Sequence, residues 1–409
     1  MSKVLHLFEA YGIEMEYMIV DRETLDVMPI TDKVIETLSG AVQNDFSFGR
    51  IDVSNELVLH VIEFKCNGPQ KDLVRMQMDF QEQIVAMNDF LKKWNACLLP
   101  TSMHPWMNPD RETKLWPHGL NEIYASYNRI FNCRGHGWSN LQSVHINLPF
   151  ANDEEFGRLH AAIRIVLPLL PALAASSPLV EGKITGSQDS RLGFYMANQR
   201  RIPSIIGTVI PERVFTEADY NKEILHKIYQ DIAPSDPDEI LQEEWLNSRG
   251  AIARFERQAI EIRVLDIQEA PVVDFAIIAL VVSLVKSLVS EKWTSFAEQK
   301  KADENELRVI FKEASEQGLD FKIHNAYLLK VFGESSPLSM RQLWTKILQA
   351  LATEDYVVKD FVAPAERLLK EGNLSSRLLK NLGENPSRER IKAEYKKLAQ
   401  SLAAGQFYA

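Results

Sequence analysis

Four short segments in the first two thirds of the chain, Gly12 to Asp21, Glu56 to Lys65, Gln142 to Leu148 and Ala259 to Asp266, show short alternation or β-branched enrichment. This patterning constrains the fold most, because successive side chains on a strand point to opposite faces and a period of two writes one buried and one polar face. Between these segments, Gln70 to Trp94, Glu154 to Ala175, Tyr220 to Ile232 and Val272 to Lys292 carry apolar residues at threes and fours, the spacing of helices. Strands this far apart predict one sheet with long helical connections. From about residue 295 the chain turns to charged amphipathic helices broken near Gly318, Ser335-Ser336-Pro337, Glu371-Gly372-Asn373 and Gly383 to Pro386, and no strand is expected there. No Pro-, Gly- or Ser-rich linker precedes this tail. The expected division is a catalytic domain at 1–294 and a C-terminal helical region at 295–409 packed on it.

The polar faces of the four strands carry the chemistry. In Gly12-Ile-Glu-Met-Glu-Tyr-Met-Ile-Val-Asp21, Glu14 and Glu16 share a face opposite Ile13, Met15, Tyr17 and Ile19. Two like charges side by side are costly unless a cation compensates them, and hard oxygen donors suit Mg²⁺; a solvent face of an antiparallel sheet is the plainer alternative. Glu56 and Glu63 lie seven apart among Leu, Val, Ile and Phe, so an unbroken strand would point them to opposite faces. A bulge or an entering loop must intervene if both reach one site. In Gln142 to Phe150, Ser143, His145 and Asn147 alternate with Val144, Ile146 and Leu148. His145 suits a metal or a backbone carbonyl, and Asn147 a nucleotide or a metal-bound water. In Ala259 to Asp266, Glu261 and Arg263 share a face: a surface ion pair, or a metal ligand beside a guanidinium whose planar fork matches phosphate oxygens. Four such strands together describe a metal-lined cup.

Composition narrows the classes. The chain has 409 residues, 45% of them hydrophobic, enough for a sizeable core. Lysine and arginine total 46 against 56 acidic residues, a net charge of −10 that argues against nucleic acid as a partner. Cys66, Cys97 and Cys133 form no CxxC pair and suggest neither a disulfide framework nor a zinc ribbon, which fits a reducing, cytoplasmic setting. The N-terminal residues read as neither a secretory signal nor an anchor, and the apolar stretch Phe275 to Val289 reads as a buried helix too short for a bilayer. No membrane association is expected. Neither GxxxxGK[ST] nor GxGxxG occurs, so a nucleotide would be held by metal ions and arginines rather than by a phosphate-cradling loop.

Across about residues 10 to 290 the chain resembles the type 2 glutamate-cysteine ligases, bacterial carboxylate-amine ligases related to glutamine synthetase. The matching text, in the family's order, is GIEMEY, Glu56 with Glu63, SMHPW at 102 to 106, SVHINLPF, LPLLPALAASSPLVEGKITGSQDSR at 167 to 191, and AIEIRVLD. The resemblance implies an α+β fold: a curved antiparallel sheet forming a metal-lined cup with helices outside, glutamine synthetase-like, plus the C-terminal helical segment. It implies that Glu14, Glu16, Glu56, Glu63, His145 and Glu261 ligate two or three Mg²⁺ ions, with Mn²⁺ an alternative, which bridge the phosphates of ATP and the substrate carboxylate. Arg263 would stabilise the moving phosphoryl group and Arg191 would contact a carboxylate or phosphate. Ser143, Asn147, Arg249 and Arg254 are candidate substrate or nucleotide contacts.

The implied reaction is phosphorylation of a carboxylate, expected to be the side chain of glutamate, followed by displacement of phosphate by cysteine or another amine. Small-molecule substrates and a homo-oligomer are the expected partners. The sequence departs from the family where Ser143 stands for the first His of His-x-His, where Met15 replaces a common third Glu, and where Gln258-Ala259 replace Gly-Thr; the loop 247–257 is also spaced differently. These changes lie nearer the mouth of the cup than the metal set, so catalysis is expected to be kept and substrate choice altered. The general base is left unassigned. The alternatives are a guanidino-kinase-like phosphotransferase, which would form no amide, and a non-catalytic binder of nucleotide or amino acid, against which the retained candidate ligands argue.

Overall fold

The computed structural model describes residues 4–354 and 356–409. Its centre is an antiparallel sheet of eight strands: β1 (Gly12–Asp21), β2 (Asp45–Phe48), β3 (Ile51–Asn55), β4 (Val61–Cys66), β5 (Ala96–Leu99), β6 (Ser143–Pro149), β9 (Ala251–Arg254) and β10 (Ala259–Asp266). Two-residue strands β7 (Leu179–Val180) and β8 (Lys183–Ile184) form a separate hairpin. The order is β2-β3-β4-β1-β6-β10-β9, with β5 continuing the edge of β1 beyond β6. β1 is therefore interior, bonded to β4 on one side and to β6 and then β5 on the other. The α+β class with a large antiparallel sheet expected from the sequence is the fold observed.

Ile13, Met15, Tyr17 and Ile19 are fully buried on the face covered by helices, as the alternation of β1 dictates. Two long helices supply most of that cover. Leu73–Leu91 starts at Asp72, whose side chain accepts from the Arg75 amide, and Pro271–Val289 starts with proline at its first position. The second helix is apolar on nearly all sides, which suits only a surrounded position. It is 19 residues long, so by length and composition it could cross a membrane, as could Asp153–Ala174, and this corrects the expectation that it is too short. Burial decides: 83% and 94% of the two apolar windows lie inside the protein.

Three local departures have local causes. The helix expected over 154–175 runs as Asp153–Val166, capped by Asn152, and then tightens into 3₁₀ and short α turns at Pro168 and Pro171, each lacking an amide donor. The segment 220–232 passes through a π turn at Asn221–Leu225. Beyond residue 295, where no strand was expected, β11 (Lys322–Ile323) and β12 (Leu338–Ser339) form a two-residue pairing too short to leave a periodic signal. Gly157 lies where a Cβ would come 2.6 Å from the Phe215 carbonyl oxygen. Gly157→Ala is expected to cost about 1 to 3 kcal/mol, measured as a lower urea midpoint; an unchanged midpoint would mean that the 215 segment is free to move.

The helices after residue 295 divide between the two faces. Glu304–Gln317, Met340–Ala352 and Val362–Glu371 join the core on the helix-covered side, where the Trp344 indole donates to the Leu169 carbonyl at 3.2 Å. Leu374–Leu382 and Arg388–Ala404 instead cover the far half of the opposite face, packing Leu374, Leu378, Tyr395 and Leu398 against Met18, Val20 and Leu99. Arg377 anchors them through Glu269 at 2.6 Å. Only the half of that face bearing Glu14 and Glu16 is left free of them.

Candidate active site

Strand pairing assembles the site. Glu14 stands opposite His145 on β6 and Lys65 on β4; Glu16 stands opposite Glu63, which in turn stands opposite Ser54; Asn147 stands between Gly12 and Glu261. Glu14, Glu16, Glu63, His145, Asn147 and Glu261 therefore share one face. Glu56, whose odd spacing from Glu63 had required a break, lies in the connection between β3 and β4 and returns to the same place. Donor atoms of Glu14, Glu63 and His145 lie within 4.8 Å of one another, as do those of Glu16, Glu56 and Glu63. Glu63 belongs to both groups.

Hydrogen bonds tie the floor together. His145 Nδ1 lies 3.0 Å from Glu14 and 3.5 Å from Glu261, and its Nε2 is 3.0 Å from Ser143 Oγ. Ser143 also donates to Glu16 from its amide at 2.7 Å and its hydroxyl at 3.1 Å, so the residue in place of the family's first histidine links two of the candidate ligands. Asn147 donates to Glu14 at 3.1 Å and Ser54 to Glu63 at 2.5 Å. A register shift in β10 between Ile262 and Leu265 brings Arg263 beside the row, with Nε 3.3 Å from Glu261.

The arginines divide. Arg191 is buried beneath the cup, its Nε paired with Asp266, and its Nη2 has no hydrogen-bond partner although the residue lines the cavity. Asp266 is held by the Ser176 amide at 2.8 Å and the Ser177 hydroxyl at 3.1 Å. The Ser-Ser-Pro text thus has a physical meaning: it fixes the carboxylate that aims Arg191. Arg254 lies 3.9 Å from Glu261 but pairs more closely with Glu256, at 2.5 Å. Arg249 is not brought to the cup. Its guanidinium is engaged by Glu212 at 2.6 Å and by the Ser204 carbonyl, which makes it a core tie.

Electrostatics identify what the cluster lacks. Burial, followed by the charge of Glu16, pushes the Glu56 carboxyl up to about 8, and burial with Glu14 and Glu56 pushes Glu63 well above the carboxylate range. Burial would raise Glu14 too, but the hydrogen bond and charge of His145 outweigh it and hold Glu14 at about 2. Carboxylates that keep protons at neutral pH for want of positive charge are a fit for a divalent cation, and oxygen donors with one imidazole suit Mg²⁺ or Mn²⁺. The sign for stability follows. A folded-state value raised from 4.5 to about 8 means that the contribution of protonated Glu56 is whole below 4.5 and lost as pH rises to 8. The metal-free protein is expected to show a falling urea midpoint between pH 5 and 8, and millimolar Mg²⁺ to restore it. A midpoint indifferent to Mg²⁺ at pH 8 would remove the cation from the site.

Above the floor is a cavity of about 400 Å³ walled by Tyr124, Tyr127, Trp138, Tyr195 and Trp245. None of these was singled out from the sequence. Tyr124 and Tyr127 come from the helix Asn121–Phe131, and Tyr195 lies one turn after Arg191 on Ser190–Ala197, so the two share a helix face.

The model of glutamate-cysteine ligase family 2 matches residues 10–397. The chain belongs to that family. It is 36% identical over 280 residues to an uncharacterised protein of Archaeoglobus fulgidus, covering 68% of this chain and 75% of that one. It is 29% identical over 194 residues to a Cupriavidus metallidurans protein named "Putative glutamate–cysteine ligase 2", covering 46% and 47%, so the match spans about half the length of that relative. Among solved structures, the glutamate–cysteine ligase of Francisella tularensis in complex with AMP superposes with a TM-score of 0.59 at 14% identity, covering 98% of this chain and 94% of the other. A bifunctional glutathione synthetase of Pasteurella multocida gives 0.58 at 12%, covering 98% and 54%. At these identities the solved structures speak for the fold. Membership of glutamate-cysteine ligase family 2 makes the protein an ATP-dependent carboxylate-amine ligase.

Proposed function

We propose that this ligase phosphorylates the side-chain carboxylate of glutamate with ATP and joins the resulting acyl phosphate to an amine. The observation that carries the reading is the convergence of Glu14, Glu16, Glu56, Glu63, His145 and Glu261 on one face beside Arg263 and the unpartnered Nη2 of Arg191. The six acidic and imidazole groups would hold two or more Mg²⁺ ions, with Glu63 shared. Bound there, Mg²⁺ would screen the triphosphate from the anionic carboxylate and polarise the transferring phosphoryl group.

The chain's own residues do the positioning. Asn147 and His145 fix Glu14, while Ser143 fixes Glu16 and the His145 ring. Arg263 presents its fork to the equatorial oxygens of the transferring group, and Arg191 offers its free edge to a substrate carboxylate. Arg254, beside Glu261, is a contact of second rank, and Arg249 is left out of the site. The catalytic part is taken as residues 1–294; within the region 295–409, the helices Leu374–Leu382 and Arg388–Ala404 complete it by covering the far half of the cup face. A cytoplasmic setting belongs to the same reading and is supported by three cysteines that are all free. So does a homo-oligomer, which light scattering would test.

An acyl phosphate leaves an isotopic signature. With ¹⁸O in the side-chain carboxylate of glutamate, each amide formed should leave one ¹⁸O in the released phosphate. A phosphorylated product without amide would assign the chain to a phosphotransferase, and unlabelled phosphate would remove the acyl intermediate.

A further inference from the structure

The cavity over the floor bears on a question that family membership leaves open, the chemistry of the amine. Its wall is largely apolar and aromatic: Leu57, Val58, Leu120, Ile123 and Leu141 stand with the five aromatic rings, and the polar side chains among them are tied to one another or to the backbone, Asn198 donating to the Gly137 carbonyl and Gln199 to the Ser248 hydroxyl at 2.9 Å. Tyr127 lies 5.2 Å from the Trp138 ring and 6.0 Å from Trp245, so three rings form one packed surface. Leu120, at the mouth, is 50% exposed. Two of the wall's three tyrosine hydroxyls are bonded to the protein: Tyr195 donates to the Ser248 carbonyl at 2.8 Å, and Tyr124 accepts from Asn55 at 3.1 Å.

The charges in the lining matter as much as the rings. Among the described residues that line the cavity, the only positive groups are Arg191, Arg263 and His145, and all three belong to the floor. In the ligase reading these serve the first substrate and the transferring phosphoryl group. Arg134, Arg200 and Lys312 line a second chamber that shares Gly137, Trp138 and Asn198 with this one. The wall thus offers an ammonium group aromatic faces, but it offers a second carboxylate no cation. A carboxylate taken into such surroundings without a partner loses its hydration uncompensated.

We propose that the amine is a primary amine with an aromatic or branched apolar body and no carboxylate, an arylalkylamine rather than an α-amino acid such as cysteine. This rests on the ligase reading above. In the step it specifies, the amine nitrogen bonds to the acyl carbon, the acyl C–O bond to phosphate breaks, and phosphate leaves with the electron pair. Of the two protons the ammonium gives up, one departs on phosphate and one to solvent.

Matched pairs of amines test it. With ATP, Mg²⁺ and glutamate, phenethylamine is compared with phenylalanine, tyramine with tyrosine and cysteamine with cysteine, following ADP and product mass. The carboxylate-free member of each pair should have kcat/KM at least about tenfold higher, and the aryl pair should exceed the thiol pair, since unpaired polar groups discriminate more strongly than bulk alone. Preference for cysteine, or for any carboxylate-bearing member, overturns the proposal. Hydroxylamine, too small to need the wall, separates the two readings: hydroxamate formation without turnover of any arylalkylamine sinks the amine assignment alone, and no hydroxamate sinks the ligase reading with it. Trp245→Ala should raise KM for the amine and leave KM for ATP within about twofold. A rise confined to ATP would place the adenine ring in this chamber instead and overturn the assignment.

Discussion

Arg263→Ala is expected to lower kcat for ADP release by about 10³-fold or more, the scale on which an arginine that stabilises a transferring phosphoryl group acts. The side chain is fixed for that task from two sides: Nε lies 3.3 Å from Glu261, and Nη1 donates to the Asn247 carbonyl at 3.4 Å. Burial works against its charge, but Tyr195 and Glu261 outweigh burial and keep the guanidinium protonated. Arg263→Lys should recover only part of the rate, because an ammonium supplies charge without the planar fork. The check is single-turnover ADP formation at saturating ATP and Mg²⁺. A loss smaller than tenfold would show that Arg263 is merely the ion-pair partner of Glu261.

Glu56→Gln should act in opposite directions on two observables. In metal-free buffer at pH 8 the variant is expected to be more stable than the parent by about 1 to 2 kcal/mol, because a site residue replaced by a neutral one relieves strain that function had required. That strain is the burial of the Glu56 charge, added to by its repulsion from Glu16, which together already drive Glu56 to hold a proton up to about pH 8. With ATP and Mg²⁺ the same variant should turn over at least about a hundredfold more slowly, since losing one cation ligand weakens charge stabilisation by several kcal/mol. Urea melts with and without Mg²⁺, alongside the turnover assay, give both signs. A variant that is both less stable without metal and fully active would make Glu56 an ordinary structural carboxylate.

Much of the floor was legible because a strand's alternation is local. Glu14 and Glu16, Ser143, His145 and Asn147, and Glu261 with Arg263 were grouped by face from the sequence, and antiparallel pairing put those faces together. β1 and β10 begin and end where the alternation predicts. Glu56 was harder, because its face depends on a turn whose conformation no periodicity records. The arginines show the limit of residue type: Arg191, Arg249 and Arg254 look alike in the sequence, yet their partners decide where each guanidinium points, Asp266 and Glu212 brought in from distant segments and Glu256 from the next turn of the chain. The aromatic wall was invisible for the same reason. Its rings come from two helices and two short turns spread along the chain from Asn121–Phe131 to Glu244–Leu246, and each alone reads as ordinary packing.

The floor and the wall differ in how they are built. Most candidate metal ligands sit on interior strands, where each backbone is bonded on both sides and each alternate side chain supports the core, so a change there disturbs the sheet. The wall residues sit on connections and on helices outside the sheet. Descendants of such a protein can therefore trade one acceptor for another by rewriting loops while the machinery that activates the carboxylate stays untouched. That separation makes the scaffold a good starting point for selecting ligases toward new amides, with libraries confined to Leu57, Leu120, Tyr127, Trp138 and Trp245.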